Sequence, residues 1–452
     1  MNRLRRAVLI AVVILFSAGI PAQSHARPFR GNIPWSFLLC KFSDSPAPPH
    51  GIAYYRSMTI ETGTNGLRDY VRSVSYGTAD LVGSSVHGWY TEPHTTAYEL
   101  AQGRWQRLLD CQSAAAAGGY TVPSGQRTYV LTSPAVDLVG FENTAALGDD
   151  NVALPELAHE FGHGIGLSHS FSDDPGYRNA TWAQIGEYDN PWDLMSAANV
   201  YVDPTGAFGG GPPFLDAHHI DEMGWIPKPR ILTLAADGVA TRTVTLAALT
   251  HPEAGGYLLA RVPFDGSDPF HFYTVEYRTA DSWDAGIPAG IVLINEVKYD
   301  AADSSYHTYL QRTLGAFSGT GNGPPVQSIS GSGVSISVVS TSGNQATVAL
   351  HTSLAPAKAA LVYGPNTCAV PYVWREADGS DFVCVTLATR AQAHADNAAA
   401  ASRHVSGSTT CKQGYVWREA FPGDYVCVAV SVRTQARTDN GQAGSRLMKP
   451  NA

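Results

Sequence analysis

The segment Leu154-Pro-Glu-Leu-Ala-His-Glu-Phe-Gly-His-Gly-Ile-Gly-Leu-Ser-His169 brings together side chains able to hold a divalent metal and to move a proton. His159 and His163 are four residues apart, so on a helix both imidazoles project from one face toward a common point. Glu160 lies between them in sequence and reaches past a metal rather than binding it. Gly164 and Gly166 end the helix, and a glycine at 166 permits the sharp turn that returns His169 as a third ligand. Asp150 or Asn151 is expected to cap the helix, and Pro155 suits its first turn, where a missing N–H does no harm. Three neutral imidazoles leave the fourth position of a tetrahedral Zn2+ open for water, as a catalytic site requires; a closed structural site would need a fourth protein ligand. Zinc lowers the pKa of such a water to about 7, so Glu160 can take its proton near neutral pH and return it to a departing amine. Because only neutral imidazole ligates, zinc affinity is expected to fall below about pH 6.

The elements that must position this constellation read as a mixed α/β unit over residues 27–228. Strands are expected at 35–42, 81–90, 128–132 and 136–141, and helices at 67–74 and 98–117. Residues 229–352 change to short alternating runs, with a Ser-Gly-Asn turn between 334–338 and 346–350, and read as an antiparallel β-sandwich. An Ala/Pro/Lys linker over 353–366 then leads into a tandem repeat at 367–409 and 410–452. Tyr372-Val-Trp-Arg-Glu-Ala377 returns as Tyr415-Val-Trp-Arg-Glu-Ala420, at the 43-residue offset that separates Cys368 from Cys411.

The motif spacing His-Glu-x-x-His-x-x-Gly-x-x-His resembles that of the metzincin metallopeptidases. Further segments resemble the gametolysin-like and immune-inhibitor-A-like secreted members: 70–77, 88–90, Tyr188-Asp-Asn-Pro-Trp-Asp-Leu-Met195, 215–225, 273–278 and 286–293. The similarity covers roughly residues 34–350. It implies a zinc endopeptidase acting on protein or peptide substrates, with Glu160 as general base and acid and His159, His163 and His169 on Zn2+. It also implies a methionine turn at Met195 beneath the metal, and a substrate lying along the 136–141 edge strand by β-augmentation. Some relatives carry a tyrosine two residues after that methionine; Ala197 stands there, leaving Tyr188 and Tyr201 as candidates to assist an oxyanion. The reading from another class is a non-enzymatic adhesin or carbohydrate-binding protein on the same scaffold, against which Glu160 argues.

Other residues carry weaker signals. His218 and His219 beside Asp221 and Glu222 suggest either a second metal or, preferred at this helical spacing, a packing helix with a polar face. Asp173, Asp174, Asp189 and Asp193 suggest either Ca2+ or, preferred, turn and cap acids. Trp374 and Trp417 read as buried anchors of the repeats rather than sugar-stacking platforms, and the repeats as a tether to a cell surface or matrix polymer.

Composition limits the classes. The chain has 452 residues, a formal charge of −9 and only 15% charged residues, with no basic stripe to bind nucleic acid. Arg3, Arg5 and Arg6 precede an apolar run at 7–20 and a small-residue site ending at Ala26, the layout of a secretory signal peptide cleaved there. No other run approaches a membrane span. Export permits disulfides, and six cysteines fall into place as Cys368 with Cys384, Cys411 with Cys427, and the remaining Cys40 with Cys111. A zinc-binding inhibitory thiol at Cys40 is the rival reading.

Overall fold

The computed structural model describes residues 28–134, 136–302, 305–314, 328–421 and 423–448; the expected signal peptide lies outside them. Trp35–Lys41 is apolar almost throughout, as befits a strand covered on both faces. It sits inside a five-stranded sheet of order 85–91, 35–41, 127–133, 145–149, 139–141. The first three pairings are parallel, and Val139–Phe141 closes the edge antiparallel to Ala145–Asp149. Because side chains alternate along a strand, Phe37 and Leu39 pack on one face with Tyr55, Met58, Leu67, Leu157 and Phe161 from three helices. Leu38 and Cys40 pack on the other face with Leu108, Cys111 and Ala115. The disulfide from Cys40 to Cys111 ties that strand to the Arg104–Ala117 helix, so Cys40 is no free thiol.

The expected helix at 98–117 is two, Thr96–Leu100 and Arg104–Ala117, because Gly103 occupies the N-cap of the second. Helix Ile52–Thr59 and strand Ala145–Asp149 have too short a pattern to stand out in the sequence.

The second region builds two sheets around one core. A six-stranded sheet has the order 171–172, 305–314, 291–300, 272–278, 259–263, 231–233, and a four-stranded sheet the order 241–247, 345–352, 334–342, 328–331. Ala260, Val275 and Ile294 of the first face Leu246, Ile336 and Val348 of the second, the packing of a sandwich. The sandwich is not purely antiparallel: Phe171–Ser172 and Ile231–Thr233 are parallel edge strands. The first of these follows directly on His169, so the segment after the third histidine is built into this sheet. Ala247, Leu249, Leu258 and Leu259 also join the core of the histidine helix, so packing crosses the expected boundary at 228.

The stretch at 353–366 is packed rather than a free linker, with Val362 buried against Phe272 and Val297. In the tail, disulfides join Cys368 to Cys384 and Cys411 to Cys427. Each repeat adds a helix that the sequence reading lacked, Leu387–Arg403 and Val430–Gln442, whose apolar content is mostly alanine. The buried anchors are not the tryptophans but two arginines: Arg375 pairs bidentately with Asp381, and Arg418 with Asp424. Each arginine also donates to the helix of the other repeat, Arg375 to the Ala436 carbonyl and Arg418 to that of Ala393, which interlocks the two. Trp417 is 39% exposed, and Trp374 is half-buried under the Lys228 ammonium. Lys228, the Arg30–Asp378 pair and the bond from Asn366 to the Asp221 carbonyl dock the tail on the first region.

Candidate metal centre

The helix Leu154–Ile165 carries Pro155 in its first turn, and its N-cap is Ala153, so neither Asp150 nor Asn151 caps it. It ends at Gly166, whose φ of 99° is a left-handed conformation that favours glycine. A Cβ there would also lie 2.4 Å from the Asn143 side-chain oxygen. Gly164 stays within the helix and lets Trp35 pack against it. This turn returns His169 to the other two histidines, and one ring nitrogen from each of His159, His163 and His169 falls within 4.8 Å of the others.

Each histidine has its Nδ1 engaged. His159 Nδ1 lies 3.1 Å from the Leu194 carbonyl, His163 Nδ1 lies 2.8 Å from that of Leu167, and His169 Nδ1 lies 2.6 Å from Glu187 Oε1. With Nδ1–H donating, the Nε2 lone pairs are left for a metal, the outer-sphere arrangement usual for ligating histidines. His159 Nε2 and His163 Nε2 are 3.1 Å apart. Two lone pairs at that distance repel unless a proton or a cation lies between them. Burial disfavours the proton, lowering the pKa of His159 and His163 and bringing His169 down to about 3. The donor set therefore fits a divalent metal of imidazole preference such as Zn2+.

Glu160 points toward the sheet edge. Gly140, on the edge strand, is so close that a Cβ on it would lie 2.1 Å from His163 Cβ and 2.7 Å from the Glu160 carbonyl. Its backbone amide lies near enough to the Glu160 carboxylate to lower the carboxyl pKa. Burial raises the Glu160 pKa to about 8, opposed by that amide and by Arg104. Arg104 and Arg107 hold Asp137 at 2.6 and 3.2 Å, fixing the approach to the edge strand.

Met195 lies fully buried beneath the helix, and a Cβ at Gly162 would stand 2.7 Å from its sulfur. The turn around it serves both flanks of the site: the Leu194 carbonyl orients His159, and the Met195 carbonyl accepts the Ser170 N–H at 3.2 Å. Below it, Asp193 is buried with its Oδ2 2.9 Å from His219 Nδ1 and its Oδ1 accepting the Asp216 N–H at 3.0 Å. His219 is thus on a packing helix, Ala217–Glu222, but the polar face is buried against the methionine turn rather than solvated. His218 lines the adjacent cavity. Asp221 is buried against Arg261.

Tyr188 and Tyr201 separate clearly. The Tyr188 ring is 4.2 Å from that of His169, while Tyr201 packs on Trp192 in a different cluster. The other loop acids have protein partners of their own: Asp173 bonds Lys298, Asp174 caps the turn at Gly176, and Asp189 accepts the N–H groups of Asn179 and Ala180. With Asp193 committed to His219, the four make no common oxygen cage for Ca2+. Glu187 and Gly140 are not expected as site residues from the sequence, while Asp193 and His219 stand there only as candidate ligands of other metals. Of the two missed residues, Gly140 carries a signal, as a glycine inside an expected strand.

A cavity of about 750 Å3 opens beside His163 and His169, and its far wall includes Gly444, Leu447 and Met448 of the tail. No known family profile matches the chain, and no curated protein is similar to it.

Proposed function

We propose that the chain is a secreted zinc endopeptidase of metzincin type, cutting peptide bonds of extracellular proteins. The observation that carries this reading is the convergence of one ring nitrogen from each of His159, His163 and His169, on a helix whose Glu160 carboxyl feels the Gly140 amide of the edge strand. His159, His163 and His169 would hold the metal, each fixed through its Nδ1. When bound, zinc supplies Lewis acidity to a carbonyl oxygen and to a water. Glu160 takes the proton of the attacking water as the O–C bond forms, and delivers it to the amide nitrogen as the C–N bond breaks. Burial raises its pKa, which makes the ionised carboxylate a stronger proton acceptor than an exposed glutamate.

Among the described residues Val139–Phe141 pairs with only one strand, so its outer backbone groups can align an extended peptide. Tyr188, whose ring centroid lies 4.2 Å from that of His169, would be the hydroxyl to assist at the carbonyl oxygen. Three disulfides suit an oxidising compartment, and no helix among the described residues is long and apolar enough to cross a membrane. The docked tail adds a cleft wall to the tether role read from its repeats. Casein cleavage by the mature protein should stop with chelator and return with one equivalent of Zn2+; cleavage indifferent to chelator contradicts the reading.

A further inference from the structure

On the opposite side of the first sheet, four ionisable side chains meet without a matching cation. His94 follows the strand Ser85–Thr91, Glu99 lies on the helix Thr96–Leu100, and Asp110 lies on the helix Arg104–Ala117. One ligand atom from each of His94, Glu99 and Asp110 falls within 4.8 Å of the others. His94 Nδ1 is 2.9 Å from Glu99 Oε1 and 4.0 Å from Asp110 Oδ2. Glu92 stands behind them, close enough for the charges of Glu99 and Asp110 to act on its carboxyl.

Burial makes this arrangement costly. Glu92 is 1% exposed and Glu99 is 0% exposed. Both oxygens of Glu92, Oε2 of Glu99 and Oδ2 of Asp110 have no hydrogen-bond partner. The neighbouring guanidinium, Arg107, points its donors at the carbonyls of Glu99, Leu100 and Gln102 and at Asp137. Three carboxylates against at most one imidazolium leave an uncompensated negative charge, which a protein interior does not tolerate without a cation or added protons. A donor set of carboxylate oxygens with one imidazole suits Zn2+ or Mn2+ better than calcium, whose ligands are oxygen alone.

We propose that His94, Glu99 and Asp110, backed by Glu92, form a second divalent-cation site, separate from the three-histidine centre. The ion would join three consecutive elements at the corner where the Cys40–Cys111 disulfide also anchors the Arg104–Ala117 helix. That helix carries Arg104 and Arg107, whose grip on Asp137 holds the approach to the edge strand. The ion is therefore structural, and its loss would loosen the substrate-binding edge from behind.

The test uses the full mature chain, stripped by chelator and titrated with Mn2+ under electron paramagnetic resonance, alongside Zn2+ counting by elemental analysis. Wild type and His163→Ala should each bind an ion that Glu99→Gln fails to bind, with affinity weakened at least about 100-fold, beyond the usual effect of an outer-sphere change. Glu99→Gln should keep the ion that His163→Ala loses; if the histidine centre binds no zinc, an ion held by wild type and His163→Ala but not by Glu99→Gln still identifies this site. Without metal, Glu99→Gln should melt no lower than wild type, since an amide removes carboxylate repulsion. If it fails to fold, Asp110→Asn, at the partly exposed rim, gives the decision. Equal Mn2+ and Zn2+ binding by wild type and these variants, or no binding outside the histidine centre, would show that the carboxyls share protons and would overturn the proposal.

Discussion

Replacing Asp193 by alanine tests whether the methionine turn is held from below. Asp193 and His219 have side chains 0% and 1% exposed, and the carboxylate accepts from His219 Nδ1 and from the Asp216 N–H. Alanine removes the acceptor that both donors share, and each such loss in the interior costs about 1–3 kcal/mol. Their sum brackets the about 3–5 kcal/mol expected when one partner of a buried charged pair is removed. We therefore expect a loss of about 4 kcal/mol, with His219→Ala costing a similar amount and the double variant far less than the two together. The structure also ties this pair to the metal, because the residue after Asp193 supplies the carbonyl that orients His159. Zinc affinity should fall about 10- to 100-fold, the range for lost outer-sphere support. Guanidinium denaturation of the metal-free proteins gives the first number, and competition with a chromophoric chelator gives the second. A stability loss under about 1 kcal/mol, together with unchanged zinc affinity, would refute the reasoning.

Three further outcomes follow from the same geometry. Burial holds the histidines neutral, with His169 brought down to about 3, so protons compete for Nε2 only well below the ordinary histidine value. This revises the expectation of zinc loss below about pH 6: elemental analysis should find the zinc retained at pH 5, and half-loss at pH 6 would contradict it. Leu447→Trp narrows the cavity from the tail side and should raise KM for protein substrates about tenfold, equivalent to about 1.4 kcal/mol, with zinc content unchanged. An unaltered KM would remove the tail from the cleft. Replacing Cys411 and Cys427 together by serine opens a bridge of sequence separation 16 and should destabilise the tail by about 3 kcal/mol, read by proteolytic nicking of the repeats. Resistance equal to wild type would refute that figure.

How much of the site can be read in the sequence depends on how local its determinants are. His159, Glu160 and His163 share little more than one helical turn, and Gly166 needs only its own φ, so their placement follows from spacing. Glu187 and His219 reach the site through loops and a second helix, and no periodicity links them to the motif. The same contrast runs through the fold. Phe37 and Leu39 against Leu38 and Cys40 reflect a two-residue period visible in the chain, whereas the parallel edge strand Phe171–Ser172 depends on partners at Tyr309 and Leu310. The tryptophans of the repeats suggested anchors by size, but two Arg–Asp pairs fill that place, because small repeats of low apolar content close around satisfied charges instead.

The most direct test compares the mature protein with Glu160→Gln for casein and gelatin cleavage, with bound zinc counted in both. Cleavage by the wild type should be chelator-sensitive, and at least about 100-fold weaker in the variant, which should still hold zinc at His159, His163 and His169. Equal cleavage by the two proteins, or zinc in both with cleavage by neither, would contradict this expectation.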